Sequence, residues 1–217
     1  MPLFSLQGAF DETSARQYDL VARRALEPLF DLTVKEITRL GGGSFAPGSI
    51  VDLGSGPGVL THRLARQFPQ AEVTGIEPST PMLKRANATP APGVRFIEGS
   101  AENIPLPDAS ADLLVSHNSI KHWRDRTKGL QEIARVLKPG GILWMCEIDR
   151  DARWPDAWRF IRQTGKPLMV LPFKLIVVRN GLSAPELARL LKDLPFESIQ
   201  VAPADGLPMI RAMGRRA

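Results

Sequence analysis

The run Ile50-Val51-Asp52-Leu53-Gly54-Ser55-Gly56-Pro57-Gly58 passes from an apolar strand through three glycines toward a helical segment. Glycine lets the backbone turn tightly there, and lets a ligand approach without a Cβ in the way. Alone, the run is equally compatible with a plain strand-to-helix turn. The next apolar strand ends in Gly75-Ile76-Glu77-Pro78, an acidic end well placed after the first. A carboxylate there can accept hydrogen bonds from both hydroxyls of a ribose. The pair points to a nucleoside ligand beyond the carboxyl ends of parallel strands. A dinucleotide fingerprint would need its third glycine at position 59, which is Val59. No Lys-Ser or Lys-Thr pair follows, so a phosphate-gripping loop is excluded as well. Gly-x-Gly-x-Gly suits a nucleoside with a compact, zwitterionic tail.

Further ordered runs extend the pattern. They are Gly75-Ile76-Glu77-Pro78-Ser79, Glu98 to Pro107, Asp112-Leu113-Leu114-Val115-Ser116, and Glu132 to Gly141. With Val51 to Gly58 as motif I, the chain resembles the class I S-adenosylmethionine-dependent methyltransferases. It is similar to the branch holding the ubiquinone and menaquinone C-methyltransferases and many small-molecule enzymes. The likeness covers about residues 45 to 150. The resemblance implies S-adenosylmethionine as cofactor and a Rossmann-like methyltransferase fold. It places the backbone around Gly54, Ser55, Gly56 and Gly58 against the methionine part. Asp52 orders the loop and reaches toward the amino group. Glu77 holds the ribose, Pro78 and Met82 lie near the adenine edge, and Ser100, Ala101 and Glu102 line the base. The family usually has Asp where this chain has Ser100, so a serine oxygen or Glu102 must serve there. His117 and Asn118 face the sulfonium region, and Tyr18 sits on an N-terminal helix that covers the cofactor.

Displacement at a sulfonium expels a neutral leaving group, so positioning can supply much of the rate. A base is needed only where the acceptor must lose a proton. The candidates are His117 and His122, in Ser116-His117-Asn118-Ser119-Ile120-Lys121-His122-Trp123; the competing reading makes both polar lining. Trp123 stacks on adenine in one reading and belongs to the core in the other. No metal is expected. The position of a magnesium-binding aspartate in catechol-type enzymes is His117, and Glu147 with Asp149 supplies too few oxygens for a hard cation. The Asn/Asp-Pro-Pro-aromatic motif of DNA amino-methyltransferases is missing, and Cys146 lacks the context of a cytosine-attacking nucleophile.

These residues need a scaffold, and the chain spells one. Strands are predicted at Ser49–Leu53, Glu72–Ile76, Val94–Ile97, Asp112–Ser116 and Ile142–Ile148, alternating with helices at Leu60–Phe68, Thr80–Ala88 and Thr127–Leu137. Pro139-Gly140-Gly141 closes the last helix. A helix at Ala184–Leu194 precedes strands at Phe196–Val201 and Leu207–Met213, joined by Pro203-Ala204-Asp205-Gly206 as an antiparallel hairpin. The expectation is a doubly wound, mostly parallel seven-stranded α/β sheet. Residues 11–40 read as helix, split at Pro28 and ended by Gly41-Gly42-Gly43.

The expected organisation is one domain: an N-terminal helical cap (1–45), a cofactor core (46–150), a substrate or lid insert (151–182) and a C-terminal helix with a strand pair (183–217). Residues 150 to 180 carry seven Lys or Arg against two Asp, laced with Trp and aliphatic side chains. That suits a hydrophobic acceptor with an anionic or phenolic group; a membrane surface, a homodimer interface and packing onto the domain's own core are the alternatives. With Tyr18's helix the insert is expected to close over the cofactor. The net charge of +5 is mostly dispersed, which disfavours nucleic acid. A single cysteine, no apolar run long enough for a membrane span and no secretory signal give a cytoplasmic expectation. A nicotinamide-dependent oxidoreductase and a non-catalytic cofactor-binding regulator are the competing functions.

Overall fold

The computed structural model describes residues 11–17, 23–163, 178–204 and 206–217. The strands are β1 (Ser49–Leu53), β2 (Glu72–Glu77), β3 (Val94–Glu98), β4 (Ala111–His117), β5 (Leu137–Ile148), β6 (Phe196–Pro203) and β7 (Met209–Arg216). They form one seven-stranded sheet in the order β3-β2-β1-β4-β5-β7-β6. All neighbours are parallel except β7, which runs antiparallel to β5 and to β6. The chain winds outward from β1 to β3, then returns to place β4 on the other side of β1. The ends of β1 and β4 therefore flank the point where the winding reverses, the usual ligand crevice of such sheets.

Alternation along the strands fills two cores. Ile50, Val73, Leu113, Val115 and Trp144 face one cluster, which takes Leu29, Phe30 and Ile37 from α2 (Arg23–Thr38) and Leu60 and Leu64 from α3 (Val59–Gln67). Val51, Ile76, Leu114 and Met145 face the other, with Leu130 and Ile133 of α5 (Arg126–Val136) and Leu187 and Leu191 of α7 (Ala184–Leu191). A sheet buried on both faces is what near-continuous apolar strands require.

Capping residues set the helix starts. The Ser79 hydroxyl accepts from Met82 N to open α4 (Thr80–Asn87), and the Asp125 carboxylate accepts from Lys128 N to open α5. Ser183 and Glu186 form a reciprocal capping box on α7. α1 (Glu12–Gln17) precedes α2, and α6 (Trp154–Gln163) follows β5.

The expected boundaries are corrected at two places. Pro28 lies inside α2 rather than between two helices. An interior proline costs about 3 kcal/mol. Burial of Leu29, Phe30 and Ile37 on the same helix offsets it, at about 1.5–3 kcal/mol for each side chain. Pro139-Gly140-Gly141 does not stop the chain before a strand but lies within β5. Ala111 pairs with Leu137 and Leu113 already with Ile142, so the three residues bulge out of the ladder. The closing hairpin is as expected, and is tied back by an Arg211–Glu36 ion pair to α2 and by Arg215 Nη1 donating to Gly140 O at 2.8 Å. Among the described residues no helix is long and apolar enough to cross a membrane.

Candidate cofactor and acceptor site

At the end of β1 the chain turns through three left-handed glycines, with φ of 77° at Gly54, 54° at Gly56 and 80° at Gly58. The end of β2 holds the turn. Ile76 O accepts from Gly54 N at 2.8 Å and from Ser55 N at 3.1 Å. The Glu77 carboxylate accepts from Gly56 N through Oε2 and from Ser79 N through Oε1, both at 3.0 Å. Burial pushes Glu77 upward from the ordinary carboxylate range, and those two N–H groups pull it back in part. Two of its roughly four lone-pair positions remain for a ligand.

The glycines differ in what surrounds them. A Cβ at Gly54 would stand 2.6 Å from Ser119 Cβ, and one at Gly58 or Gly75 would stand 2.5 Å from the Phe96 ring. These three let elements of the protein approach one another. A Cβ at Gly56 would meet nothing within 4 Å. Gly56 thus borders the open side of the loop.

Asp52 is buried at 1% exposure and its Oδ2 accepts from Thr61 Oγ1 at 2.6 Å. This bond ties the end of β1 to α3, so Asp52 orders the loop from behind. Burial pushes its pKa up to about 7, against the Thr61 hydrogen bond.

The end of β4 supplies a second polar group. The His117 ring lies edge-on to Phe30 at 4.9 Å and parallel to Trp144 at 6.5 Å. Neither ring nitrogen has a hydrogen-bond partner among the described residues. Burial and the nearby Lys121 cation push its pKa down to about 3, so the imidazole is neutral. Asn118 adopts φ 60° and its N donates to Cys146 O at 2.8 Å, fixing the exit from β4. Lys121 Nζ donates to Asn118 O at 2.8 Å. Glu147, buried on β5, accepts from Ser119 N at 3.0 Å and Ile120 N at 3.2 Å; burial pushes it up to about 7 and Lys121 opposes that. His122 ends this turn, and burial with Lys121 also takes it to about 3.

The structure separates the remaining candidates. Pro78 is exposed beside Glu77, whereas Met82 is buried in α4. Ala101 packs into the core under α5. Glu102 Oε1 accepts from Arg124 N at 2.7 Å and Asp125 N at 3.1 Å, and the Ser100 hydroxyl also bonds to it. Burial would raise Glu102, but these donors hold it below the usual range. Ser100 and Glu102 thus brace the turn before α5. Trp123 packs against the second core, and its Nε1 donates to Ser119 Oγ at 3.1 Å, as the core reading required. Tyr18 and residues 164–177 of the insert lie outside the described residues. Sequence reasoning missed Thr61, Phe30, Lys121 and the role of Glu147. Lys121, between the two histidines, was the one with a visible signal. A broad groove lined by Lys35, Arg39, Arg63 and Arg66 lies along α2 and the later turns of α3.

A glycine turn at β1 that is open at Gly56, with a carboxylate beside it at the end of β2, is the arrangement of nucleoside-binding α/β proteins. Residues 51–145 match the family model described as methyltransferase domain. The chain is 42% identical over 143 residues to the uncharacterized methyltransferase YdaC of Bacillus subtilis, covering 64% of this chain and 79% of that one. It is 38% identical over 94 residues to a chloroplastic 2-methyl-6-phytyl-1,4-hydroquinone methyltransferase of Oryza sativa, covering 43% of this chain and only 28% of that protein. A putative S-adenosylmethionine-dependent methyltransferase of Methanococcus maripaludis shares the fold, with a TM-score of 0.78 at 22% identity over 97% of this chain and 95% of that one. The chain belongs to the S-adenosylmethionine-dependent methyltransferases. It is an enzyme of the class I fold, and S-adenosylmethionine is its cofactor.

Proposed function

We propose that the enzyme methylates a small hydrophobic acceptor bearing a phenolic or anionic group, bound at the end of β4 beside the glycine loop. The observation that carries this reading is His117, a buried neutral imidazole with two unpartnered nitrogens between Phe30 and Trp144. An orphaned polar ring inside aromatic walls costs free energy until something bonds to it. An aromatic or aliphatic acceptor with one hydroxyl or anionic oxygen meets both needs. The hydroquinone named for the rice relative is such a molecule, and supports the reading by likeness.

The cofactor supplies an electrophilic methyl group on a sulfonium whose loss leaves a neutral thioether. The backbone at Gly54, Ser55, Gly56 and Gly58 cradles its methionine part. Glu77 accepts from the ribose hydroxyls with its free lone pairs, and Pro78 flanks the base. His117 accepts a hydrogen bond from the acceptor and takes its proton. Lys121 favours the acceptor's ionised form, and His122 lines the approach.

The test incubates the enzyme with radiolabelled cofactor and a small-molecule extract, then identifies the labelled product. Label found only in protein or nucleic acid overturns the acceptor class. With the acceptor in hand, His117→Gln is expected to lower kcat by about 10²-fold. Cofactor affinity should hold. Because burial holds His117 near 3, the acid limb of the rate should lie near that value rather than near 6.5, and should be lost in His117→Gln. A small, pH-independent effect would leave His117 as lining and positioning as the whole of the catalysis.

A further inference from the structure

Among the described residues the large hydrophobic side chains standing exposed are Trp154, at 52%, and Trp158, at 44%. They lie four residues apart, one turn along α6 and on one face. The neighbouring face of that helix is spent on the core through Ala157, Phe160 and Ile161.

The charges around them have one sign. Arg159 and Arg162 are exposed on the same side, with Arg153 at the entry to the helix. The helix's own carboxylate, Asp156, is buried and turned inward, where it pairs with Arg153 Nε at 3.0 Å and with Arg159 at 3.8 Å. Asp151 is the one exposed carboxylate between 150 and 163. Exposed indoles flanked by guanidinium groups match a bilayer interface, where the ring sits at headgroup level and the cations meet anionic lipid. α6 also begins soon after Ile148, the carboxyl end of β5.

We propose that the outer face of α6 is a peripheral docking surface for an anionic phospholipid bilayer, with Trp154 and Trp158 inserted at the interface and Arg159 and Arg162 against the headgroups. A second copy of the chain fits this face poorly. A two-fold contact would set α6 against α6 and bring the same arginines together. The proposal does not depend on which acceptor is methylated, and its test needs no turnover.

The experiment uses the full chain with vesicles of phosphatidylcholine alone and vesicles also containing phosphatidylglycerol. Sedimentation is expected to carry the protein down only with the anionic vesicles. Tryptophan emission should shift to the blue and be quenched by acyl chains brominated near the headgroup. Trp144 is buried and Trp123 packs against the core, so the response reports α6. Trp154→Ala with Trp158→Ala should lower partitioning by at least about tenfold, and Arg159→Glu or Arg162→Glu by about fivefold each. All four side chains are exposed, and unchanged circular dichroism confirms that the variants fold. Absence of vesicle binding overturns the proposal, as does binding that the tryptophan substitutions leave unchanged. So does a wild-type dimer that these substitutions dissociate, or quenching by oligothymidylate in a protein that ignores both vesicles.

Discussion

At the scale of single residues, two carboxylates at adjacent strand ends do different work. Asp52 faces inward and bonds to Thr61, and nothing charged and opposite compensates its burial. Its folded pKa of about 7 lies above the ordinary 3.8, so the folded state holds its proton over a range where the unfolded chain has lost it. For a raised carboxyl pKa, the loss of stability begins as pH rises past 3.8 and is complete above about 7. Asp52→Asn keeps an acceptor for Thr61 but cannot ionise. Its stability relative to wild type should therefore climb by about 4 kcal/mol between pH 3.5 and 7.5, then level off. Denaturant melts of the cofactor-free enzyme across that range measure it, and a flat difference would mean that Asp52 ionises normally in the fold. Glu77 instead faces the loop. Glu77→Ala should weaken S-adenosylmethionine binding by about 1.5–3 kcal/mol, read by isothermal titration. Unchanged affinity would remove Glu77 from the site.

At the scale of elements, the glycine turn divides into parts that serve the fold and a part that serves the ligand. Gly58→Ala puts a Cβ 2.5 Å from the Phe96 ring at a left-handed φ, so it should lower the melting temperature before it affects anything else. A Cβ at Gly56 meets nothing within 4 Å, so Gly56→Val, strained only locally at φ 54°, should abolish cofactor binding while leaving the helical circular dichroism largely intact. Normal binding by Gly56→Val would reduce the loop to a turn. The sequence made the turn legible because glycine spacing and an acidic strand end are local signals. It also made the strands legible, since apolar runs buried on both faces leave little else to be. Pro28 misled because proline's local cost is visible in a sequence, while the burial of Leu29, Phe30 and Ile37 that outweighs it is tertiary. The bracing done by Glu102 was hidden for a related reason: its partners Arg124 and Asp125 are 22 and 23 residues away, at the start of another helix. His117 could be placed at a strand end, but its isolation between Phe30 and Trp144 depends on α2 and β5 arriving from opposite directions.

At the scale of the whole molecule, the glycine loop and α6 are built from different parts of the chain. The glycine loop, Glu77 and Asp52 hang on β1, β2 and α3, near the middle of the sheet. α6 is reached only after β5 and packs on α2 in the first core. A ligand that binds only the folded state stabilises it by mass action, about 2.7 kcal/mol at one hundred times its Kd. For a chain of this size that is a rise in Tm of roughly 5–10 °C. Wild type should show this rise with S-adenosylmethionine, and Trp154→Ala with Trp158→Ala should show it in full, because α6 contributes no group to the glycine loop. Glu77→Ala should lose most of it at the same concentration, since its Kd then approaches the ligand concentration. The contrast matters for the insert at 151–182. If it closes directly over the cofactor, the α6 variants will lose the thermal shift in step with Glu77→Ala. If it serves the acceptor or a membrane surface, they will keep the shift and lose turnover or surface attachment instead. Thermal melts of the three proteins at one cofactor concentration separate the two, and a shared loss of the shift would move α6 into the cofactor site.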